Sequence, residues 1–225
     1  LVGERVKNNV LLLWSGGADS TVALLRLLRE SPTIRVRTLS IQHPQFAARK
    51  EQLAARNLIQ ERLKSAQSLT FDRLEVEIRH SADAGLDGAA CQAATWLSIG
   101  QGYLAPNEDL ALGYMATDSI WHTAEQLRQA FAALQAAQRK DGQLQFPTEW
   151  DERPEILSAL DEWGLTDLCW WCERPEVLPL AAVSAEFIKQ ERPLTKACGT
   201  CHPCEEHAAG RWLLSMRADR RARGS

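Results

Sequence analysis

Residues 9 to 14, NVLLLW, are apolar from Val10 onward and read as a buried strand, and from residue 19 to residue 30 the positions Val22, Leu25 and Leu28 recur at helical spacing. The same alternation then repeats. IRVRTLSI is β-branched and alternating and predicts a second strand, followed by a helical stretch from Phe46 to about Ser65. FDRLEVEI alternates as a third strand, CQAATWLSIGQGYL reads as a helix and DLALGYM as a fourth strand. Residues 123 to 140 put Leu127, Phe131 and Leu134 on one helical face, and Leu144 to Phe146 make a short fifth strand. Strands alternating with helices predict an α/β fold, an open and mostly parallel sheet with right-handed crossovers and helices on both faces.

The rhythm changes near residue 165. In DERPEILSALDEWG, Pro154 suits a first helical turn and Gly164 a helix end. From Leu168 to Cys204 the chain has little periodicity, and a helix resumes from about Pro203 through Met216. The expected organisation is an α/β domain over residues 1–165 and a metal-binding lobe with a C-terminal helix over residues 166–225. Five of the six cysteines fall in that lobe, as Cys169, Cys172, Cys198, Cys201 and Cys204, in the pattern C-x2-C-x25-C-x2-C-x2-C. Such clustering points to metal in a reducing cytoplasm rather than to disulfides. Zinc takes four soft ligands in a tetrahedron, and C-x2-C turns place two thiolates on one ion. Cys198, Cys201 and Cys204 are the compact trio. The fourth place lies between Cys172 and Cys169, with His202 and His207 behind them. Cys91 stands alone and reads as a small buried apolar residue.

SGGADS, residues 15 to 20, joins the first apolar run to the first helical one. Adjacent glycines let the backbone turn sharply and present N–H groups, while Asp19 and Ser20 open a helix whose dipole favours negative charge. Such a loop binds anions. A net charge of -3 in 225 residues gives no overall electrostatic pull toward nucleic acid, although the tail MRADRRARGS is locally basic. No apolar run approaches the roughly 20 residues of a membrane span, and no secretory apolar region is present, so the expected location is cytoplasmic.

SGGADS resembles the PP-loop signature of the ATP pyrophosphatase superfamily, and no Walker-type GKS or GKT follows it. Together with the C-terminal CGTCHPC, it resembles the 7-cyano-7-deazaguanine synthase family, QueC, over most of the chain. GYMATD stands at that family's Gly-x-x-x-x-Asp segment, and a lone cysteine precedes the CGxCxxC run. The resemblance implies an adenine nucleotide alpha hydrolase-like fold, ATP and Mg2+ as cofactors, and Zn2+ on Cys172, Cys198, Cys201 and Cys204, with Cys169 spare. It also implies an AMP- and pyrophosphate-forming ligase acting on a deazapurine acid and an amine, either ammonia or a protein amino group, in a homodimer. Three segments depart from the family. SIQHPQ replaces Tyr-Gly-Gln, DGAACQ stands near the place of Pro-Gly-Arg-Asn, and SIWHTAEQ replaces Ser-Gly-Tyr-Pro-Asp-Cys-Arg. The resemblance implies a place in queuosine biosynthesis, and divergent QueC-like proteins are associated with bacterial antiphage defence islands, which raises a role in antiviral defence.

On the resemblance, Ser15, Gly16, Gly17, Asp19, Ser20 and Thr21 cradle the phosphates, and Ser20 and Thr21 read equally as helix caps. Asp19 or Asp118 lies near a phosphate-bound magnesium, and Arg153 stands at the place of a family lysine that meets pyrophosphate. Ser40, Ile41 and Gln42 follow the second strand, where the superfamily receives adenine. Trp121 reads as a purine-stacking ring or a core residue, and His122 as a base for the attacking amine or a helix cap. Two other readings stay open: a PP-loop RNA sulfur transferase, whose paired cysteines carry persulfide, and a non-catalytic nucleotide-binding scaffold.

Overall fold

The computed structural model describes residues 9–30, 33–42, 47–64, 73–77, 89–178 and 195–222. Its elements run β1 (Asn9–Leu13), α1 (Ala18–Glu30), β2 (Arg35–Gln42), α2 (Arg49–Lys64), β3 (Arg73–Glu77), α3 (Ala89–Tyr103) and β4 (Asp109–Leu112). After a short 3-10 turn at Ser119–His122 come α4 (Ala124–Ala137), β5 (Leu144–Gln145) and α5 (Arg153–Glu162). A second 3-10 turn, Thr166–Leu168, leads to β6 (Glu176–Val177), β7 (Thr195–Lys196) and α6 (His202–Ala222). The described residues fall into two compact units, one made of those within the spans Leu1–Trp14, Asp19–Gln42 and Ser68–Trp150, the other of those within Ser15–Ala18, His43–Gln67 and Asp151–Ser225.

The first unit holds an all-parallel sheet in the order β3-β2-β1-β4-β5. Its central strand is the apolar run, with Val10, Leu11 and Leu12 at most 1% exposed, as a strand covered on both faces must be. In register, Leu11 lies beside Leu110, and Leu13 beside both Leu39 and Leu112, so these side chains share one face. They join Leu97 of α3 and Leu127 and Phe131 of α4 in one core cluster. The chain steps from β1 to β2 in one direction and from β3 to β4 in the other. Right-handed crossovers therefore put α1 and α3 on opposite faces. The α/β class expected from the alternating pattern is the class observed.

One helical face differs from expectation. Leu127 and Phe131 are buried, but Leu134 is 37% exposed and Gln135 is 3% exposed in its place. Four residues on from Phe131 comes Gln135, whose amide donates to Gln101 Oε1 at 2.8 Å and whose Oε1 accepts the Gly142 N–H at 3.2 Å. A buried amide with these partners closes the turn after α4, which a leucine cannot do.

In the second unit α5 packs on α6. Arg153 pairs with Glu206, Arg211 with Asp161 and Arg217 with Glu155. Gly210 allows the close approach, since a Cβ there would stand 2.7 Å from Arg153 Cγ. Gly164 ends α5 at φ +63, its N–H on Asp161 O. No described helix is long and apolar enough to cross a membrane.

Candidate functional site

β1 ends at Leu13, and the Trp14 N–H continues its ladder to Leu39 O at 2.9 Å before the chain turns through Ser15–Gly17 into α1. Gly16 has φ +90, and a Cβ on it would stand 2.7 Å from both Arg56 Cγ and Gln52 O of α2. Backbone conformation and space both require glycine there. Its carbonyl accepts the Trp170 N–H at 3.1 Å, and the Gly17 N–H donates to Ser15 Oγ at 3.1 Å. The loop is thus built against α2 and the cysteine-bearing segment, all within the second unit.

In the first unit, α1 begins with Asp19 half-buried and Ser20 buried. Thr21 is fully buried and its Oγ1 accepts the Trp14 indole N–H at 3.1 Å, so it braces the strand against the helix. Gly113, directly after β4, packs on the helix start, since a Cβ there would stand 2.6 Å from Ser20 Cα. β1 and β4 are the neighbours between which the crossover direction reverses, and open α/β sheets bind ligands at the carboxyl ends of such strands. Ser40 is buried and Ile41 half-buried at the end of β2; Gln42 closes that strand, and its side chain lies outside the described residues, as does that of Cys91 in α3.

GYMATD forms a tight turn after β4. Asp118 Oδ2 accepts the Met115 N–H at 2.7 Å, and the Asp118 N–H returns to Met115 O. Trp121 is half-buried and packs against the core of the first unit. Its indole N–H donates to Met115 O at 2.8 Å and its ring meets Phe146 edge-on with centroids 5.2 Å apart. His122 is exposed at the end of the 3-10 turn, and Thr123 rather than His122 occupies the cap position of α4. Tyr114 is a residue the sequence reading passed over. Its hydroxyl is buried without a hydrogen-bond partner, and burial, then the Asp118 charge, raises its pKa. An aromatic residue inside GYMATD carries no periodicity signal that marks it.

Among the described residues, the sulfurs of Cys172, Cys198, Cys201 and Cys204 lie within 4.8 Å of one another. Gly199, at φ +78, makes the turn of C-G-T-C. It allows the N–H groups of Thr200 and Cys201 to point at Cys198 Sγ, at 3.5 and 3.4 Å. These donors, Thr200 first, draw the Cys198 thiol down to about 6, while burial pushes the Cys204 thiol up to about 12. Burial raises Cys172 as well, whereas Cys201 is lowered, so a bound cation has most to gain by displacing the protons of Cys172 and Cys204. Such a cluster could hold a metal ion. Cys169 is buried outside the foursome. His207 stacks on Trp171 at 3.8 Å, its pKa lowered to about 4 by burial and then by Arg211 and Arg153. His202 is exposed beside Glu206. Arg153, at the start of α5, is 11% exposed in its side chain and donates to Glu206 at 2.8 Å.

No family model and no curated protein matches the chain. Among solved structures the chain is similar to the U34-tRNA thiolase NcsA from Methanococcus maripaludis with its [4Fe-4S] cluster, at 14% identity over 94% of this chain and 74% of that one, with a TM-score of 0.46. A likeness of that degree assigns neither family nor activity.

Proposed function

We propose that the chain is an ATP-dependent carbon–nitrogen ligase of the PP-loop ATP pyrophosphatase superfamily, QueC-like, which adenylates the carboxylate of 7-carboxy-7-deazaguanine or a close analogue for attack by an amine. The observation that carries this reading is the SGGADS turn. It follows the central strand of a parallel sheet, holds Gly16 at φ +90 with no room for a side chain, and opens α1 with Asp19 and Ser20. Backbone N–H groups at a helix start suit phosphate.

In the proposed reaction the carboxylate oxygen attacks the α-phosphorus of ATP, the bond to the β-phosphate bridging oxygen breaks, and pyrophosphate departs with the electron pair. The amine nitrogen then attacks the acyl carbon, AMP leaves, and the nitrogen loses its proton to a base. His122 is the candidate base. Ser15, Gly16, Gly17, Asp19 and Ser20 hold the phosphates, Arg153 contributes to pyrophosphate binding, and Ser40, Ile41 and Gln42 receive the adenine. Magnesium on the phosphates, with Asp19 or Asp118 nearby, would supply charge neutralisation.

Zinc suits the four cysteines. Tetrahedral bonds of about 2.3 Å set thiolates about 3.8 Å apart, and Cys172 Sγ stands 3.6 Å from Cys198 Sγ and 3.9 Å from Cys201 Sγ. A four-iron cubane takes its thiolates on separate irons and spreads them wider. Zinc on Cys172, Cys198, Cys201 and Cys204 would hold the lobe in shape.

The test is incubation of the full chain with ATP, magnesium, 7-carboxy-7-deazaguanine and ammonium, with AMP and pyrophosphate measured and products read by mass spectrometry. Adenylation predicts both, and Asp19→Ala abolishes them with metal content unchanged. ATP binding without pyrophosphate under any acceptor condition would make the chain a nucleotide-binding scaffold. Iron with labile sulfide, and AMP formed only with tRNA, would replace the ligase by an RNA sulfur transferase.

A further inference from the structure

The second unit contains a cavity of about 130 Å³ on the flank of α2. Glu51 and Leu58 of α2 line it together with Asp167, Trp170, Trp171 and Thr195. Glu51 is 5% exposed, its Oε1 accepts the Thr195 hydroxyl at 2.9 Å, and its Oε2 is buried with no hydrogen-bond partner. A carboxylate withdrawn from water with one oxygen unsatisfied is costly, and a positive charge in the adjoining cavity lowers that cost.

The walls select the cation. Two carboxylates, Glu51 and the exposed Asp167, disfavour an anion, and the apolar surfaces of Leu58, Trp170 and Trp171 disfavour a hydrated metal ion, which keeps its waters. Indole rings attract ammonium groups and bury methylenes. Both rings are held in place. Trp170 donates its indole N–H to Cys172 O at 2.7 Å and its backbone N–H to Gly16 O, and one face of Trp171 rests on His207. The volume is slightly below the roughly 150 Å³ of an apolar cavity that holds benzene. A chain of four methylenes ending in a charged nitrogen is of that size.

We propose that this cavity binds a primary alkylammonium group, its charge beside the Glu51 carboxylate and its methylenes against Leu58 and the two tryptophans. The group belongs either to a free amine or to a lysine side chain of another protein. Binding here is independent of the adenylation chemistry proposed above.

Calorimetric titration of the metal-loaded full chain with n-butylammonium, and with n-butanol as its neutral counterpart, tests the site. The ammonium binds at least about tenfold more tightly than the alcohol, and Trp170 and Trp171 report its entry by a fluorescence change. Glu51→Gln keeps the shape and the Thr195 contact, and loses about tenfold in affinity for the ammonium with no change for the alcohol. A short lysine peptide set against its norleucine counterpart identifies the source. Tighter binding of the lysine peptide than of n-butylammonium assigns a protein side chain, and its exclusion assigns a free amine. Equal affinity for ammonium and alcohol in the wild-type chain, an unchanged ammonium affinity in Glu51→Gln with its metal retained, or no binding of n-butylammonium at millimolar concentration overturns the proposal.

Discussion

At the scale of single residues, two glycines separate what a turn requires from what a helix tolerates. Gly16 sits at φ +90 with α2 against it, whereas Gly102, near the end of α3, has nothing within 4 Å of where its Cβ would be. A left-handed backbone costs an ordinary residue about 1–3 kcal/mol, and the contacts with Arg56 and Gln52 add an overpacking cost of similar size, about 1–3 kcal/mol. Gly16→Ala should therefore lower the urea midpoint clearly and remove ATP turnover. Gly102→Ala should leave turnover intact and raise stability by about 0.5 kcal/mol. Equal midpoints for the two variants would show that the loop does not need its glycine. Leu134 and Trp121 carry a related lesson. Helical spacing admits either Leu134 or Gln135 beneath Phe131, and only the acceptors on Gln101 and the N–H of Gly142 select the amide.

At the scale of elements, the described residues between Cys169 and Cys204 have short strands and a small core around the sulfur cluster. β6 and β7 pair over two residues each, and Val177 is 79% exposed. The cluster of Cys172, Cys201 and Cys204 packs only with partly buried neighbours, Trp170 and Trp171 among them. A metal ion on the four cysteines would cross-link such a segment. Cys201→Ser should lose the bound metal and lower the thermal midpoint. Cys169→Ser, outside the foursome, should keep the metal. Metal analysis by mass spectrometry with parallel melting curves checks both, and a full metal complement in Cys201→Ser contradicts the proposed ligand set. Trp170 lies between Cys169 and Cys172 and donates its N–H to Gly16 O, so the loop and the lobe share a structural support.

At the scale of the whole molecule, the loop and the cysteine pattern resemble the QueC family while the three segments around that family's substrate differ. Part of two of those segments, residues 43–45 of SIQHPQ and residues 87–88 of DGAACQ, lies outside the described residues. Nitrile formation requires the amide to stay bound and be activated a second time, whereas amide formation needs one activation and an acceptor path. With the Arg-Asn and Tyr-Pro-Asp elements absent, the expected product is an amide made with a dedicated amine, in preference to the nitrile. Product mass spectra with ammonium and with larger amines in parallel measure this preference. Nitrile from acid, ATP and ammonium at a rate on the order of one turnover per second or faster would overturn it.

Hydrophobic period determined the order and type of the elements from β1 to β5, because a buried parallel strand must be apolar throughout and a packed helix must repeat near every fourth residue, whereas the two-residue strands β6 and β7 carry no such signal. The pattern of glycines and cysteines also marked the loop and the metal cluster, since each depends on backbone freedom or ligand type at short range. Only the tertiary structure decided the rest. It packed Trp121 against the core, set the Trp14 indole N–H on the hydroxyl of Thr21, left Cys169 outside the sulfur cluster, and set the buried side chain of Glu51 beside a cavity. Each of these outcomes depends on partners distant along the chain, and side-chain spacing within one element carries no record of which donors, rings or cavities the fold brings against it.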